Sequence, residues 1–377
     1  MNRTTVGNFS PPPLEVAPKN IAYVTNLYPT DRRPTFGTFV RVSRESLERA
    51  GWKTYLMTPP EGQARVLSYF RFYASCIVKL LRFRGIAYVH YVSHSAPPAI
   101  LASAINPKLK LVLHYHGSDA FPERGENFIR RALKKTICLI ANSRARAIVA
   151  PSSAFLKMVQ DEFRPKPEIK LLVSPSGGVD ESMFHTPIEV SRRIDLLFVG
   201  RMIEGKGAST AARIAKQVLS SLGTANAVFV GEGPERPVVE QELLQFIREG
   251  RVQILGPVPP AELAALYQQA KVFLFPSTRK GESLGLTWIE AGACGAVPVV
   301  LANGVTENLV PSDFTQDLVA NDPEQMMSIS LRFIERSTLR EEVSQKISEI
   351  LQTMYSSGNV AAELDRAFTE LISEYGA

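Results

Sequence analysis

The chain has 377 residues, 45% of them hydrophobic and 21% charged, which suffices for two cores and excludes a disordered or fibrous protein. No apolar run reaches the roughly 18–20 residues that a membrane-spanning helix needs. Net charge is +6 but unevenly spread: residues 1–187 carry 26 Lys and Arg against 13 Asp and Glu, the remainder 17 against 24, and Gly62 to Ser118 holds no acidic residue. A basic half joined to an acidic half points to an anionic partner for the first half only.

Residues 1–19 are polar, contain Pro11-Pro12-Pro13 and lack the apolar region of a secretory signal, so they are expected to form a flexible arm. Short, continuous runs rich in Ile, Val and Leu follow, the pattern of parallel strands buried on both faces. In the first half they are Asn20–Thr25, Lys53–Thr58, Ile86–Val92, Leu109–Tyr115, Ile137–Ala141 and Lys170–Val173. In the second they are Asp195–Gly200, Ala227–Gly231, Val252–Gly256, Val272–Pro276, Val297–Leu301 and Asp317–Val319. Helical patterns alternate with them, among them Thr38–Ala50, Arg65–Arg84, Pro259–Ala270 and Leu284–Cys294. The alternation predicts an α/β fold with two Rossmann-like parallel-sheet domains, residues 20–187 and 188–359, facing a central cleft. A helix over 360–377 is expected to pack back on the first domain. Cys76, Cys138 and Cys294 are odd in number and set in apolar surroundings, which predicts buried thiols in a reducing cytosol.

Four segments follow strands of the second half and so fall at the expected cleft edge. In Gly200-Arg201-Met202-Ile203-Glu204-Gly205-Lys206-Gly207, a strand runs into a glycine loop and then a helix. Arg201 offers a planar donor fork and Lys206 a mobile ammonium, a socket for a diphosphate beside a helix N-terminus. An ordinary charged surface turn accounts equally well for this segment alone. Gly231-Glu232-Gly233-Pro234 reads first as a structural turn. Gly256-Pro257-Val258-Pro259 either presents main-chain groups to a base or simply leads into a helix. The fourth segment, Glu282-Ser283-Leu284-Gly285-Leu286-Thr287-Trp288-Ile289-Glu290, sets a loop acid and a helical acid on either side of a helix start. From Gly285 to Glu290 the rise is roughly 7–8 Å, about the span from a diphosphate to a neighbouring ring.

Glu282 to Glu290 resembles the E-x7-E motif of retaining GT-B glycosyltransferases, and its surroundings resemble glycosyltransferase family 4. Arg201 and Lys206 match that family's R-x4-K pair. Ser174-Pro175-Ser176-Gly177-Gly178-Val179-Asp180 resembles its interdomain segment, and Tyr28-Pro29 to Gly37 its first glycine loop. His114-Tyr115-His116-Gly117-Ser118-Asp119 resembles the "HGsD" segment, and Pro151-Ser152-Ser153 the turn after the next strand. Where the family usually has Glu-Gly-Phe-Gly, this chain has Glu282-Ser283-Leu284-Gly285. The resemblance implies a nucleotide-sugar donor, UDP- or GDP-linked, and front-face attack in which the leaving phosphate helps deprotonate the acceptor. Arg201 and Lys206 would hold the diphosphate, Glu282 the transferred sugar and Glu290 the ribose. His116 would stand near the reacting sugar. Gly37, Gly200, Gly256, Val258 and the stretch Ser283, Leu284, Gly285, Leu286 and Thr287 would complete the donor site.

No metal or other cofactor is expected. The chain has no Asp-x-Asp, so the two cations are expected to neutralise the diphosphate alone. His90 and His94 have metal-like spacing but lack carboxylates nearby. His114 and His116 are expected on opposite faces of a strand, without a shared role.

On the acceptor side, Ser68, Arg71, Ser75, Lys79 and Arg82 form a polar basic stripe on an otherwise apolar, aromatic helix. Arg130, Arg131, Lys134 and Lys135 add a second basic cluster, and Asp119 is assigned to the same side. An anionic membrane carrying a lipid-linked or glycan acceptor fits this pattern, and so does a helix packed on the sheet with a solvated stripe. Nucleic acid does not fit, because no helix-turn-helix, zinc or RNA-binding pattern is present. The alternatives for the whole chain are a catalytically inactive GT-B scaffold subunit of a polysaccharide assembly complex, or a GT-B sugar-nucleotide epimerase or phosphorylase.

Overall fold

The computed structural model describes residues 18–373 except 34–35, 63, 122–125, 188–190 and 280. Nearly all of the expected N-terminal arm, part of the expected domain boundary and the end of the terminal helix lie outside the described residues.

Two six-stranded sheets form, every pairing parallel. The first contains β1 (Asn20–Val24), β2 (Lys53–Met57), β3 (Gly85–His90), β4 (Leu109–His114), β5 (Ala147–Ala150) and β6 (Lys170–Val173), in the order β2-β1-β3-β4-β5-β6. The second contains β7 (Ile194–Val199), β8 (Ala227–Val230), β9 (Val252–Leu255), β10 (Ala270–Phe275), β11 (Val297–Leu301) and β12 (Val319–Ala320), in the order β12-β11-β10-β7-β8-β9. The second order is that of dinucleotide-binding sheets, and the first that of flavodoxin-like ones with a further strand. In each sheet the order reverses once, beside β1 and beside β7. Connections that leave on opposite faces there open a crevice at the strands' carboxyl ends.

Most central strands are buried along their length, as in Ala22-Tyr23-Val24 and Phe273-Leu274-Phe275, because helices cover both faces. Three predicted strands need correction. Ile137–Ala141 belongs to the helix Phe128–Asn142, whose buried Cys138, Ala141 and Asn142 repeat at helical spacing. The strand is the later, shorter run Ala147–Ala150; a brief apolar run does not by itself separate helix from strand. β3 ends at His90, because Tyr91 turns left-handed (φ 56°) and Val92 opens the next helix. Of Asp317–Val319, only Val319 joins the sheet, and Asp317 lies in the short helix Thr315–Leu318.

The chain crosses between the domains twice, side by side: Val179 N–H donates to Tyr355 O at 2.7 Å, and Ser357 N–H donates to Val179 O at 2.8 Å. After the second crossing the helix Ser357–Ser373 closes the first domain's core. Phe368 meets the rings of Trp52 and Tyr88 edge-on, and Trp52 Nε1 donates to Asp365 Oδ1 at 2.7 Å. All three cysteines are buried and unpaired in disulfides.

Candidate functional site

The carboxyl ends of the two sheets face each other across a cavity of about 710 Å³. Leu27, Gly37, Phe39, Tyr91 and His116 line it from the first domain, following β1, β3 and β4. Gly200, Arg201, Lys206, Val258, Arg279 and Glu282 line it from the second, following β7, β9 and β10. A side pocket of about 230 Å³ shares Phe39, Val258 and Leu263 with it and is lined further by Leu286, Thr287 and Glu290. Residues read as four separate segments of sequence therefore converge on two adjoining spaces.

The helix Leu286–Ala293 lines the side pocket through Leu286, Thr287 and Glu290. Gly285 caps it with φ +74°, and a Cβ there would stand 2.6 Å from the Phe275 ring, so only glycine brings the helix tip this close to β10. The first N–H groups of the helix have no partner within it and carry the positive end of its dipole. Leu284 is buried in the core, and its carbonyl accepts from Trp288 Nε1, so its side chain does not reach a ligand. The Ser283 side chain is also committed: its Oγ donates to His116 O at 3.0 Å across the cleft, while Ser152 Oγ donates to Ser283 O at 2.8 Å. Gly256 lies beside the Glu232 carboxylate and does not line either space.

Lys206 and Glu282, assigned from sequence to different parts of a ligand, are paired with each other: Nζ to Oε2 is 2.7 Å. Ser277 Oγ also donates to Glu282 Oε2 at 2.9 Å. Burial pushes the Glu282 carboxyl up, but the Lys206 ammonium, the Ser277 hydroxyl and the Arg279 charge outweigh it and hold the acid below its ordinary range. Among the described residues no cation offsets the burial of Glu290. Desolvation raises it to about 8, against a weaker hydrogen bond from Tyr267 Oη at 3.3 Å. One acid of the pair is thus ionised and the other protonated at neutral pH.

The Glu290 shift has a testable consequence. Between its ordinary value of 4.5 and about 8, the folded chain holds a proton that the unfolded chain releases. Stability from this group is complete below that window and falls by up to about 1.4 kcal/mol per pH unit through it. Glu290→Gln removes the dependence, so urea unfolding should show the variant gaining on the wild type from pH 5 to pH 8. A difference that does not change with pH overturns the assignment.

His90, His114 and His116 overturn the expectation that the last two face apart. The strand ends at His114, the backbone turns, and His116 stacks on His114 with ring centroids 4.1 Å apart and 28° between planes. His90 stacks on His116 at 10°, its Nδ1 2.9 Å from His116 Nε2, and Tyr88 Oη is 2.7 Å from His114 Nδ1. Burial drives His90 down to about 3 and holds the other two well below their ordinary value, so the stack is neutral at pH 7. The donor atoms of the three rings lie within 4.8 Å of one another. His90 Nδ1 and His116 Nε2 are engaged with each other and His114 Nδ1 with Tyr88 Oη, so protein contacts hold the three rings. The stack backs His116 at the cleft wall against Phe39 and Tyr91, at 4.8 and 4.9 Å.

Asp119 needs correction. It is not on an acceptor surface but fully buried, accepting from His116 N–H and Val92 N–H, both at 2.9 Å. Burial raises its carboxyl to about 6 despite these bonds. A short carboxylate at the start of the helix Val92–Ile105 satisfies free N–H groups and so fastens the His116 loop to that helix. Arg71, Lys79, Arg130 and Arg131 are exposed on the outer helices and Arg82 in the turn after Leu80, all away from the cleft lining. Tyr91, Phe39 and Arg279 are cleft residues that the sequence reading missed. The available signal was an aromatic directly after β3 and a basic residue in the loop between Ser277 and Glu282.

Two facing doubly wound domains with a ligand-sized cleft at their carboxyl ends define the GT-B class of sugar-handling proteins. The sequence pattern described as Glycosyltransferase Family 4 matches residues 39–177, and that described as Glycosyl transferases group 1 matches residues 181–349. The chain belongs to this family of GT-B glycosyltransferases. It is 23% identical to the GPI3 subunit of the Saccharomyces cerevisiae phosphatidylinositol N-acetylglucosaminyltransferase, over 58% of this chain and 45% of that one. It thus spans about half the length of that relative. It is 22% identical to the putative teichuronic acid biosynthesis glycosyltransferase TuaC of Bacillus subtilis, over 92% of this chain and 97% of that one. In fold it resembles Anabaena HepE, solved with UDP and glucose, at a TM-score of 0.70 and 15% identity over 93% of this chain and 99% of that one.

Proposed function

We propose that the chain is a retaining, metal-independent glycosyltransferase that moves a hexose-type sugar from a UDP- or GDP-sugar to a glycan or lipid-linked acceptor in cell-surface polysaccharide synthesis. The observation that carries this reading is the part-buried Lys206–Glu282 pair at the wall of a cleft that also holds Arg201 and adjoins a pocket at a helix tip. Relatives named for N-acetylglucosaminyl transfer and teichuronic acid synthesis, and a fold neighbour solved with UDP and glucose, point the same way.

Without donor, Glu282 satisfies Lys206. A diphosphate entering beside Arg201 and the helix tip offers Lys206 a stronger anion. The ammonium swings to it, and Glu282 is released to accept hydroxyl hydrogen bonds from the sugar. Thr287 and Glu290 line the side pocket, which takes the ribose. The bond from sugar carbon to phosphate oxygen breaks while the acceptor oxygen bonds to the same carbon from the same face. The acceptor proton passes to a phosphate oxygen, whose growing negative charge Arg201 and Lys206 stabilise. His116, neutral and held by its stack, shapes the space around the sugar. The acceptor enters from the first domain's side, and the protein acts in the cytoplasm, peripherally at the membrane. No helix among the described residues is long and apolar enough to cross a membrane.

Thermal unfolding with UDP and with GDP, each in the presence of a chelator, tests the donor site. One of the two should raise the melting temperature, since a ligand at about 100 times its Kd stabilises the folded state by about 2.7 kcal/mol. Arg201→Ala should abolish that rise, and nucleoside diphosphate should appear from the matching sugar nucleotide when acceptor is added. No stabilisation by either nucleotide, or stabilisation only with added metal, overturns the reading.

A further inference from the structure

Three helices cover one face of the first sheet side by side: Arg65–Leu80, Val92–Ile105 and Phe128–Asn142, the middle one packed against both others. Their inward faces are ordinary core, with Phe72, Cys76, Ala99 and Cys138 buried. Their outward faces are not ordinary surface. Phe70, Val78, Ile105, Phe128, Ile129 and Leu133 are all exposed, Phe70 at 70% and Phe128 at 82%. None of the three helices, 16, 14 and 15 residues long, contains an Asp or Glu. Arg71, Lys79, Arg130 and Arg131 stand exposed among the apolar side chains. Two further lysines at the rim have partners, Lys134 with Glu126 and Lys135 with Glu162.

We infer that this three-helix face docks on an anionic lipid bilayer, with Phe70, Val78, Phe128, Ile129 and Leu133 entering the interface and the arginines meeting lipid phosphates. Apolar side chains among cations, on three helices that carry no acid, match an interface that is oily below and negative above. They do not match water, where large exposed apolar patches are rare and mark contacts. A second copy of the chain fits poorly, because a two-fold contact would set this acid-free face against itself. The basic stripe read from the sequence is part of this surface but not its core. Ser68 turns inward, with its Oγ donating to Pro60 O at 2.7 Å, and the outermost positions are apolar.

The position suits a membrane-borne acceptor. The first turn of Arg65–Leu80 presents Val66 and Leu67 outward, while its Arg65, Ser68 and Tyr69 wall a groove of about 410 Å³. That groove also holds Arg32 and Arg33, and it shares Leu27 and Phe36 with the main cleft. A docked helix therefore sets a basic groove at the lipid surface, leading to the donor. This deepens the proposed function by naming the surface that meets the acceptor's membrane.

Vesicle flotation of the full chain at low salt tests it, with pure phosphatidylcholine against phosphatidylcholine containing phosphatidylglycerol. Binding is expected only to the anionic vesicles. Arg130→Gln with Arg131→Gln should weaken it about thirtyfold. Phe70→Ser with Phe128→Ser should weaken it at least about tenfold. Nucleotide-induced thermal stabilisation, measured on the same samples, should be unchanged in both variants, which separates failure of the docking face from failure of the donor site. Equal binding to neutral vesicles, no binding at all, or binding that neither variant alters overturns the proposal. So does a dimer in solution that the same substitutions dissociate.

Discussion

Lys206→Ala is expected to lower the transfer rate by about 10²–10³-fold, the usual cost of losing one fixed charge from the site of growing negative charge. The same substitution should reduce folding stability by about 3 kcal/mol, because it strands the buried Glu282 carboxylate without its cation. The two losses have different origins and can be separated. Lys206→Ala combined with Glu282→Gln removes both charges, so unfolding by urea should show most of the stability restored. Turnover should stay low, since nothing replaces the ammonium at the diphosphate. Turnover close to wild type in the single variant would refute the assigned role of Lys206. Recovery of both properties in the double variant would make the pair purely structural.

Gly117→Ala should cut turnover by about a hundredfold, although residue 117 makes no contact assigned to the donor. Gly117 has φ +122°, and a Cβ there would stand 2.4 Å from the Gly281 carbonyl oxygen across the cleft. That clash is between two backbones and has no side chain to yield. The two loops must separate, and with them the His116–Ser283 bridge that bears on the same contact. A displacement near 1 Å at the reacting centre commonly costs about this much. The donor-holding residues Arg201, Thr287 and Glu290 all belong to the second domain, so KM for the donor should barely change while kcat falls. Gly223→Ala, where a Cβ would meet nothing within 4 Å, is the matched control and should be near neutral. Unchanged kcat in Gly117→Ala would show that the loops need not approach for reaction.

The boundary between what could and could not be read from the residues follows physical range. Alternation of buried-strand and helical patterns depends on neighbours a few positions apart, so the two parallel sheets were legible, as were the positions of Arg201, Lys206 and Glu282 on the loops after β7 and β10 and of Glu290 on the helix that follows. Misreadings fell where local pattern is ambiguous or is overruled by packing. Ile137–Ala141 has the composition of a strand, and only its packing as part of Phe128–Asn142 shows a helix. The sequence pattern assigns Asp119 to the acceptor side, and only the fold brings Val92 N–H within 2.9 Å of its carboxylate and buries it. His114 and His116 obeyed strand alternation on paper, but the strand stops between them.

By itself, the sequence determined the fold class, the family resemblance, the charge asymmetry and the roster of groups able to bind an anion, because each is a property of residue type and short-range order. Only the tertiary structure decided which groups meet. Lys206 pairs with Glu282 across 76 positions, Ser283 reaches His116 across 167, and three helices without an acid align into one face. Protonation was decided there as well: Glu282 and Glu290 are the same residue type, and one is ionised and the other protonated at pH 7 because a cation lies beside the first and apolar burial surrounds the second.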